Sequence, residues 1–176
     1  MKILAISDTH GKLSKARKVI SGLKGLDLII HAGDYYADAK ILSEETGIDT
    51  VFVKGNCDGS MSSEDFEIVT TEYGNIFVTH GHMYRDIDRL VYAAAEHGCK
   101  AVIFGHTHVP FYDESDGLYI LNPGSLSRPR DGSDGSYIVI TTTKSTFGAS
   151  VLYYGDGISK VRGGHIRDIL NYSDRF

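Results

Sequence analysis

The chain has 176 residues, 41% hydrophobic and 23% charged, enough for one soluble domain with a substantial core and short for two. Its 18 basic and 23 acidic residues give a net charge of -5, which argues against a broad electrostatic grip on long nucleic acid. No apolar run approaches the ~20 residues that cross a bilayer, and the two cysteines, Cys57 and Cys99, form no CxxC pair and suggest no disulfide framework.

The chain opens on a buried-strand pattern, Lys2 to Ser7, whose apolar run is too short for a secretory signal, so a cytoplasmic location is the simplest expectation. A helix follows, with Leu13, Ala16, Ile20 and Leu23 on one face at spacings of three and four. Leu26 to His31 reads as a second strand, Ala37 to Glu45 as a short helix and Thr50 to Val53 as a third strand. Such alternation implies right-handed crossovers and a largely parallel sheet. Phe66 to Tyr73 and Asn75 to Thr79 read as an antiparallel pair turning near Gly74. A helix from Asp86 to His97 and a buried strand from Ala101 to Phe104 come next. Short strands follow around Phe111 to Asp113, Leu118 to Leu121, Ser136 to Thr142 and Phe147 to Tyr154, so the second half reads as antiparallel. One closing helix is expected around Ile166, Ile169 and Leu170, and the whole chain, 1–176, is read as a single domain of two packed sheets with helices outside.

Five polar segments follow the ends of apolar strands: Asp8-Thr9-His10, Gly33-Asp34, Gly55-Asn56-Cys57-Asp58, His80-Gly81-His82 and Gly105-His106-Thr107-His108. Loops beyond strand C-termini converge on one crevice in sheets of this kind. Asp, His and Asn supply oxygen and imidazole ligands suited to Mn, Fe, Zn or Ni, and no thiolate cluster suggests a structural zinc site. Asp8, His10, Asp34, Asn56, His80, His106 and His108 are too many ligands for one ion. They suit two ions sharing a carboxylate, with Asp34 as the best bridge. Singly, each segment also reads as an ordinary turn or cap; together and in order, they point to a metal site. Of the other histidines, His31 reads as a hydrogen-bonded core or supporting residue, His97 as a helix-end residue and His165 as solvated. His82, a neighbour of His80, reads equally as a substrate contact or supporting residue and as having no role.

These segments resemble the calcineurin-like metallophosphoesterases, marked by D-x-H, G-D, G-N-H-[DE], a later His and G-H-x-H. The compact size and Asn122-Pro123-Gly124-Ser125, followed by Arg128, Pro129 and Arg130, resemble the YfcE-like phosphodiesterase branch. The resemblance covers roughly residues 1–155. It implies an α/β fold, a four-layer α/β/β/α sandwich of two mixed sheets flanked by helices. It also implies one metal on Asp8, His10, Asp34 and His108 and a second on Asp34, Asn56, His80 and His106, with Mn first and Ni, Fe, Zn or Mg open. The implied reaction is hydrolysis of a small phosphate diester by a metal-bridging hydroxide. Asn56, Cys57 and Asp58 are the catalytic candidates, with Asp58 a plausible partner for the second ring N–H of a ligand His. Ser125, Arg128, Arg130 and His82 are the substrate-binding candidates; the two arginines read equally as surface partners of Asp131 and Asp134. One departure stands out: Cys57 occupies the place of the family's His in G-N-H-[DE]. This predicts a preference for good leaving groups, and the other reading of Cys57 is a small buried hydrophobe. Alternatives are a catalytically weak protein-binding scaffold of the same fold, as in the retromer subunit, and a phosphomonoesterase, nuclease or pyrophosphohydrolase using the same metal site. A homodimer is the default expectation for a protein of this size.

Overall fold

The computed structural model describes residues 1–59 and 65–155. The expected closing helix and His165 lie outside the described residues. In chain order the elements are β1 (Lys2–Ile6), α1 (Ser14–Gly22), β2 (Leu28–His31), α2 (Tyr36–Thr46), β3 (Thr50–Phe52), β4 (Phe66–Thr70), β5 (Asn75–Thr79), α3 (Ile87–Glu96), β6 (Ala101–Ile103), β7 (Pro110–Ser115), β8 (Leu118–Pro123), β9 (Ser136–Thr142) and β10 (Phe147–Tyr153). Every strand and helix expected in this range is present.

The strands form two five-stranded mixed sheets, in the orders β10-β9-β1-β2-β3 and β4-β5-β6-β8-β7. In the first, β1, β2 and β3 run parallel and β9 joins β1 antiparallel. The second sheet corrects the sequence reading, because β5, β6 and β8 run parallel and only β4 and β7 pair antiparallel at its edges. The helix α3 makes the β5-to-β6 crossover possible, and the β7–β8 hairpin returns β8 beside β6. Short strands with turn signals do not reveal direction; the crossovers do.

Side-chain alternation builds the layers. Ile3 and Ala5 of β1 join Ile30, Ile76, Val78 and Ile103 in the core between the sheets. Leu4 and Ile6 point the other way, onto Ala16, Val19 and Ile20 of α1 and Leu42 of α2. On the far sheet, Phe77, Val102 and Ile120 meet Leu90 and Ala94 of α3. The result is the expected α/β/β/α sandwich. Asp86 caps α3 by accepting the Arg89 amide at 2.9 Å.

Candidate metal centre

The five polar segments emerge from the C-terminal ends of β1, β2, β3, β5 and β6, and the Asn122–Ser125 turn ends β8. These six strands form the parallel parts of the two sheets, which is why segments far apart in sequence arrive at one place. The backbone there is strained. Asp8, His10, Asp34, Tyr35, His106 and His108 have φ between 47° and 69°. Among the described residues the only other non-glycine with positive φ is Asp116, in the β7–β8 turn. Each such residue costs roughly 1–2 kcal/mol, and strain of this kind collects at functional sites.

Close packing of the loops holds that strain. A Cβ on Gly33, at φ +97°, would lie 2.5 Å from His80 Nδ1. A Cβ on Gly105 would strike the Ser7 hydroxyl and lie 2.8 Å from both the Ala32 carbonyl and Asp8 Oδ2. The His106 amide donates to Asp8 Oδ2 at 3.1 Å, and the Cys57 amide to Asp34 Oδ1 at 2.9 Å. Asp38, on the first turn of α2, accepts the Thr9 hydroxyl at 2.6 Å and the Gly11 amide at 2.8 Å, and so grips the chain on both sides of His10.

The ligand-capable atoms form a closed circuit. His108 Nε2 is 3.2 Å from Asp8 Oδ1, which is 4.0 Å from His80 Nε2. His80 Nε2 is 3.4 Å from Asp34 Oδ1. Asp34 Oδ2 is 3.6 Å from His10 Nε2, which is 3.3 Å from His108 Nε2. One atom each from Asp8, His10, Asp34 and His108 lie within 4.8 Å of one another, and all four residues are buried. Asn56 Oδ1 sits 3.2 Å from His80 Nε2 and 3.0 Å from His106 Nδ1.

Proton accounting shows what these groups fit. The Ala32 carbonyl can only accept, so at 2.8 Å it receives the His80 Nδ1–H. The Arg128 carbonyl likewise receives the His108 Nδ1–H at 2.7 Å. In the neutral rings, both Nε2 atoms are then bare lone pairs turned towards carboxylate or amide oxygens. Asp8 Oδ1, fully buried, has no hydrogen-bond partner. Acceptors facing acceptors in a buried site are the signature of a cation site, and the second ring N–H on a carbonyl is the usual support for a metal-binding His. Burial depresses the pKa of His10 and His106, which keeps those rings neutral and able to ligate. Burial would raise Asp8, but the neighbouring His108 and His80 outweigh it and hold the carboxyl below its usual range. Burial would lower His108, but Asp8 outweighs it and raises the ring, so that a proton can take a cation's place there.

A calcineurin-like phosphoesterase superfamily domain matches residues 1–145. The chain belongs to this superfamily. The expected enzyme class, a metal-dependent phosphoesterase, is the class of this family. A probable metallophosphoesterase, YsnB of Bacillus subtilis, is 30% identical over 97% of this chain and 98% of its own. The phosphodiesterase YfcE of Escherichia coli is 27% identical over 78% of this chain and 85% of its own. A predicted phosphoesterase structure from Streptococcus pneumoniae superposes with a TM-score of 0.72 at 28% identity, covering 86% of this chain and 88% of that one.

Against the calcineurin-like pattern, the structure gathers Asp8, His10, Asp34, Asn56, His80, His106 and His108 around one open cavity or its floor. The cavity, of about 430 Å³, is also lined by Cys57, Arg128, Pro129 and Arg130. Among the described residues Asp58 bonds to no His ring. Its carboxylate accepts the Tyr36 amide at 2.9 Å and the Gly55 amide at 2.7 Å, tying the β3 loop to α2. Ser125 is not presented to a substrate either. It is fully buried, its hydroxyl donates to the Asp8 carbonyl at 2.8 Å, and it accepts the Ser127 and Arg128 amides. Cys57 is exposed rather than a buried hydrophobe, and partial burial of the thiol together with the Asp34 carboxylate pushes it up to about 11. His82 stands beside the centre, its ring centroid 5.3 Å from His80 and 6.3 Å from His106, and burial lowers its pKa.

Asp38 went unread in the sequence, and Asn122 entered only as part of the Asn122–Ser125 segment, with no role of its own. The buried Asn122 donates to the Gly105 carbonyl at 2.8 Å and the Thr107 hydroxyl at 3.1 Å, fixing the loop that carries His106 and His108. An Asn before Pro signals only a turn. His31 proves a buried supporting residue: Thr9 gives its one proton to Asp38, so the His31 Nε2–H donates to the Thr9 hydroxyl at 2.9 Å.

Proposed function

We propose that this chain hydrolyses a small phosphate diester with two divalent ions. Asp8, His10, Asp34 and His108 would hold one, and Asp34, Asn56, His80 and His106 the other. The observation that carries the reading is the division of the Asp34 carboxylate, with Oδ2 3.6 Å from His10 Nε2 and Oδ1 3.4 Å from His80 Nε2. One carboxylate thus fronts two sets of lone pairs, as a bridging ligand must. When bound, two such ions lower the pKa of water towards neutrality and clamp the phosphate oxygens during in-line displacement.

The chain's own groups supply the rest. The Ala32 and Arg128 carbonyls keep the Nε2 atoms of His80 and His108 turned inward. The Cys57 amide keeps Asp34 oriented. A cavity of about 430 Å³ suits a small ester. Cys57 in place of an imidazole supports a preference for esters whose leaving group needs no proton. The net charge of -5 supports a small ester over long nucleic acid. Among the described residues no helix is long and apolar enough to cross a membrane. Residues 1–176 are taken as one domain, acting in the cytoplasm as a homodimer, with Mn as the first choice of metal.

The test is bis(p-nitrophenyl) phosphate hydrolysis with Mn²⁺, alongside metal analysis of the purified protein. Metal-dependent release of p-nitrophenol and about two ions per chain are expected, both lost in Asp34→Ala. A protein that binds one ion or none and releases no product would leave the scaffold as the better account.

A further inference from the structure

Residues 125–130 form a platform bolted to the metal-holding loops. The Ser125 and Ser127 hydroxyls donate to the Asp8 carbonyl at 2.8 and 2.9 Å. The Arg128 amide donates to the Ser125 hydroxyl at 2.9 Å. His108 Nδ1 donates to the Arg128 carbonyl at 2.7 Å, and the Arg130 amide donates back to the His108 carbonyl at 3.1 Å. None of the five bonds uses an arginine side chain, so both guanidinium groups are left over. Each is exposed and lines the same cavity as His10, Asp34 and His108. Neither forms an ion pair with Asp131 or Asp134, the surface alternative, nor with Asp8 or Asp34, among the described residues.

Two uncompensated guanidinium groups on a rigid loop are a preorganised anion receptor. They stand on the cavity wall, out of contact with the Asp8 and Asp34 carboxylates. An anion held by them would lie beside the metal-facing carboxylates, in the same cavity. The cavity, about 430 Å³, is the size of a small-molecule site and exceeds what one phosphate fills. Two positive charges match a phosphate monoester, which is nearly dianionic at pH 7, better than a singly charged carboxylate.

We propose that Arg128 and Arg130 form a subsite for a second phosphate group, so that the substrate is a phosphate diester that also carries a terminal phosphate. This rests on the diesterase reading for what happens to the ester, but the subsite itself is testable without it. Metal-stripped protein is titrated calorimetrically with inorganic phosphate, with acetate as the carboxylate control. Wild type binds phosphate and prefers it to acetate, and Arg128→Ala/Arg130→Ala weakens phosphate binding by about tenfold or more. No arginine side chain anchors the loop, so the double variant keeps its loop and its circular dichroism. Phosphate binding equal in wild type and variant, or no preference over acetate, overturns the proposal.

The metal-loaded enzyme is then given a nucleoside 5′-(p-nitrophenyl phosphate) with and without a 3′-phosphate. The 3′-phosphate lowers KM in wild type by about tenfold, and the double variant loses that advantage. An advantage that is absent, or that survives in the variant, counts against the subsite. If neither ester releases p-nitrophenol, the diesterase reading fails, and the metal-free titration alone decides the subsite.

Discussion

Replacing Asn122 by Ala tests how far the metal centre depends on groups that are not ligands. The Asn122 side chain is fully buried and makes three hydrogen bonds, donating to Gly105 and Thr107 and accepting the Gly124 amide at 2.8 Å. The losses are unequal. The Gly105 carbonyl keeps the Thr107 amide at 2.8 Å, and the Thr107 hydroxyl keeps Val109. Among the described residues no other acceptor is paired with the Gly124 amide. One orphaned buried donor costs about 1–3 kcal/mol and each of the two weakened bonds about 0.5–1.5, so the variant should lose about 2–6 kcal/mol. That is a large share of the ~5–15 kcal/mol typical of a domain. The second effect falls on the ligands, because Gly105–Thr107 carries His106 and leads into His108. A metal-binding loop freed from its support should bind about ten- to a hundredfold more weakly. Urea unfolding with and without saturating Mn²⁺ separates the two: the metal-free curve reports the lost bonds, and the Mn²⁺-induced shift reports affinity. If the variant matched wild type in both curves, the buried amide would be holding nothing, and the account of this loop would be wrong.

Gly33→Ala forces a Cβ to within 2.5 Å of His80 Nδ1 at a φ of +97°, so it should cost more than about 2 kcal/mol and reduce metal affinity, read by urea unfolding and calorimetry. Burial lowers the His31 pKa from 6.5 to about 4, so the unfolded state binds more protons between those values and stability falls as pH drops through that window, by up to about 3 kcal/mol. His31→Gln should flatten that slope in urea unfolding followed between pH 7 and pH 4, and an unchanged slope would show that another group carries it. Chelation by EDTA should lower the Tm and abolish ester hydrolysis, with Mn²⁺ restoring both, because the ions bind the folded state alone. Cys57→His should speed turnover of an alkyl ester more than of a p-nitrophenyl ester, and equal effects would remove Cys57 from any part in leaving-group departure.

The strands and helices were legible because their signals are local. Leu13, Ala16 and Ile20 mark α1 at helical spacing, and Ile3 to Ile6 mark a strand buried on both faces. The metal-ligand candidates were legible because strand followed by polar dipeptide recurs five times, and strand C-termini collect ligands. Direction in the second sheet was not, since pairing β6 with β8 across a hairpin leaves no mark on either strand. Nor were the supporting roles. Asp58 was assigned to a His ring because a metal-binding His gives its second ring N–H to a carboxylate or carbonyl, yet two backbone amides claim it. Ser125 looked presented on a turn, yet its hydroxyl is spent on the Asp8 carbonyl. A side chain's type says what it can bond, and only the fold says which partner reaches it first.

Asp38 and Asp58 show why the centre needs this second set of residues. Each is a carboxylate that does not face the ligand circuit, and each accepts two donors from one ligand-bearing loop or from a loop and α2. Asp38 grips Thr9 and Gly11 around His10, whose φ of 47° is unfavourable on its own. Asp58 joins Gly55 to Tyr36, directly after the left-handed pair Asp34 and Tyr35. The first turn of α2 thus fastens three of the five loops together. The strain is needed because an ordinary backbone would not aim these ligands at one point. It is tolerated because the fastening bonds oppose relaxation, and charge-assisted bonds from amide to carboxylate are the strong kind. Lone pairs that converge without protons between them repel one another, so the ligand circuit alone cannot hold the loops in place before a cation arrives. The acids outside the circuit do that work, which makes them as necessary to the site as the ligands.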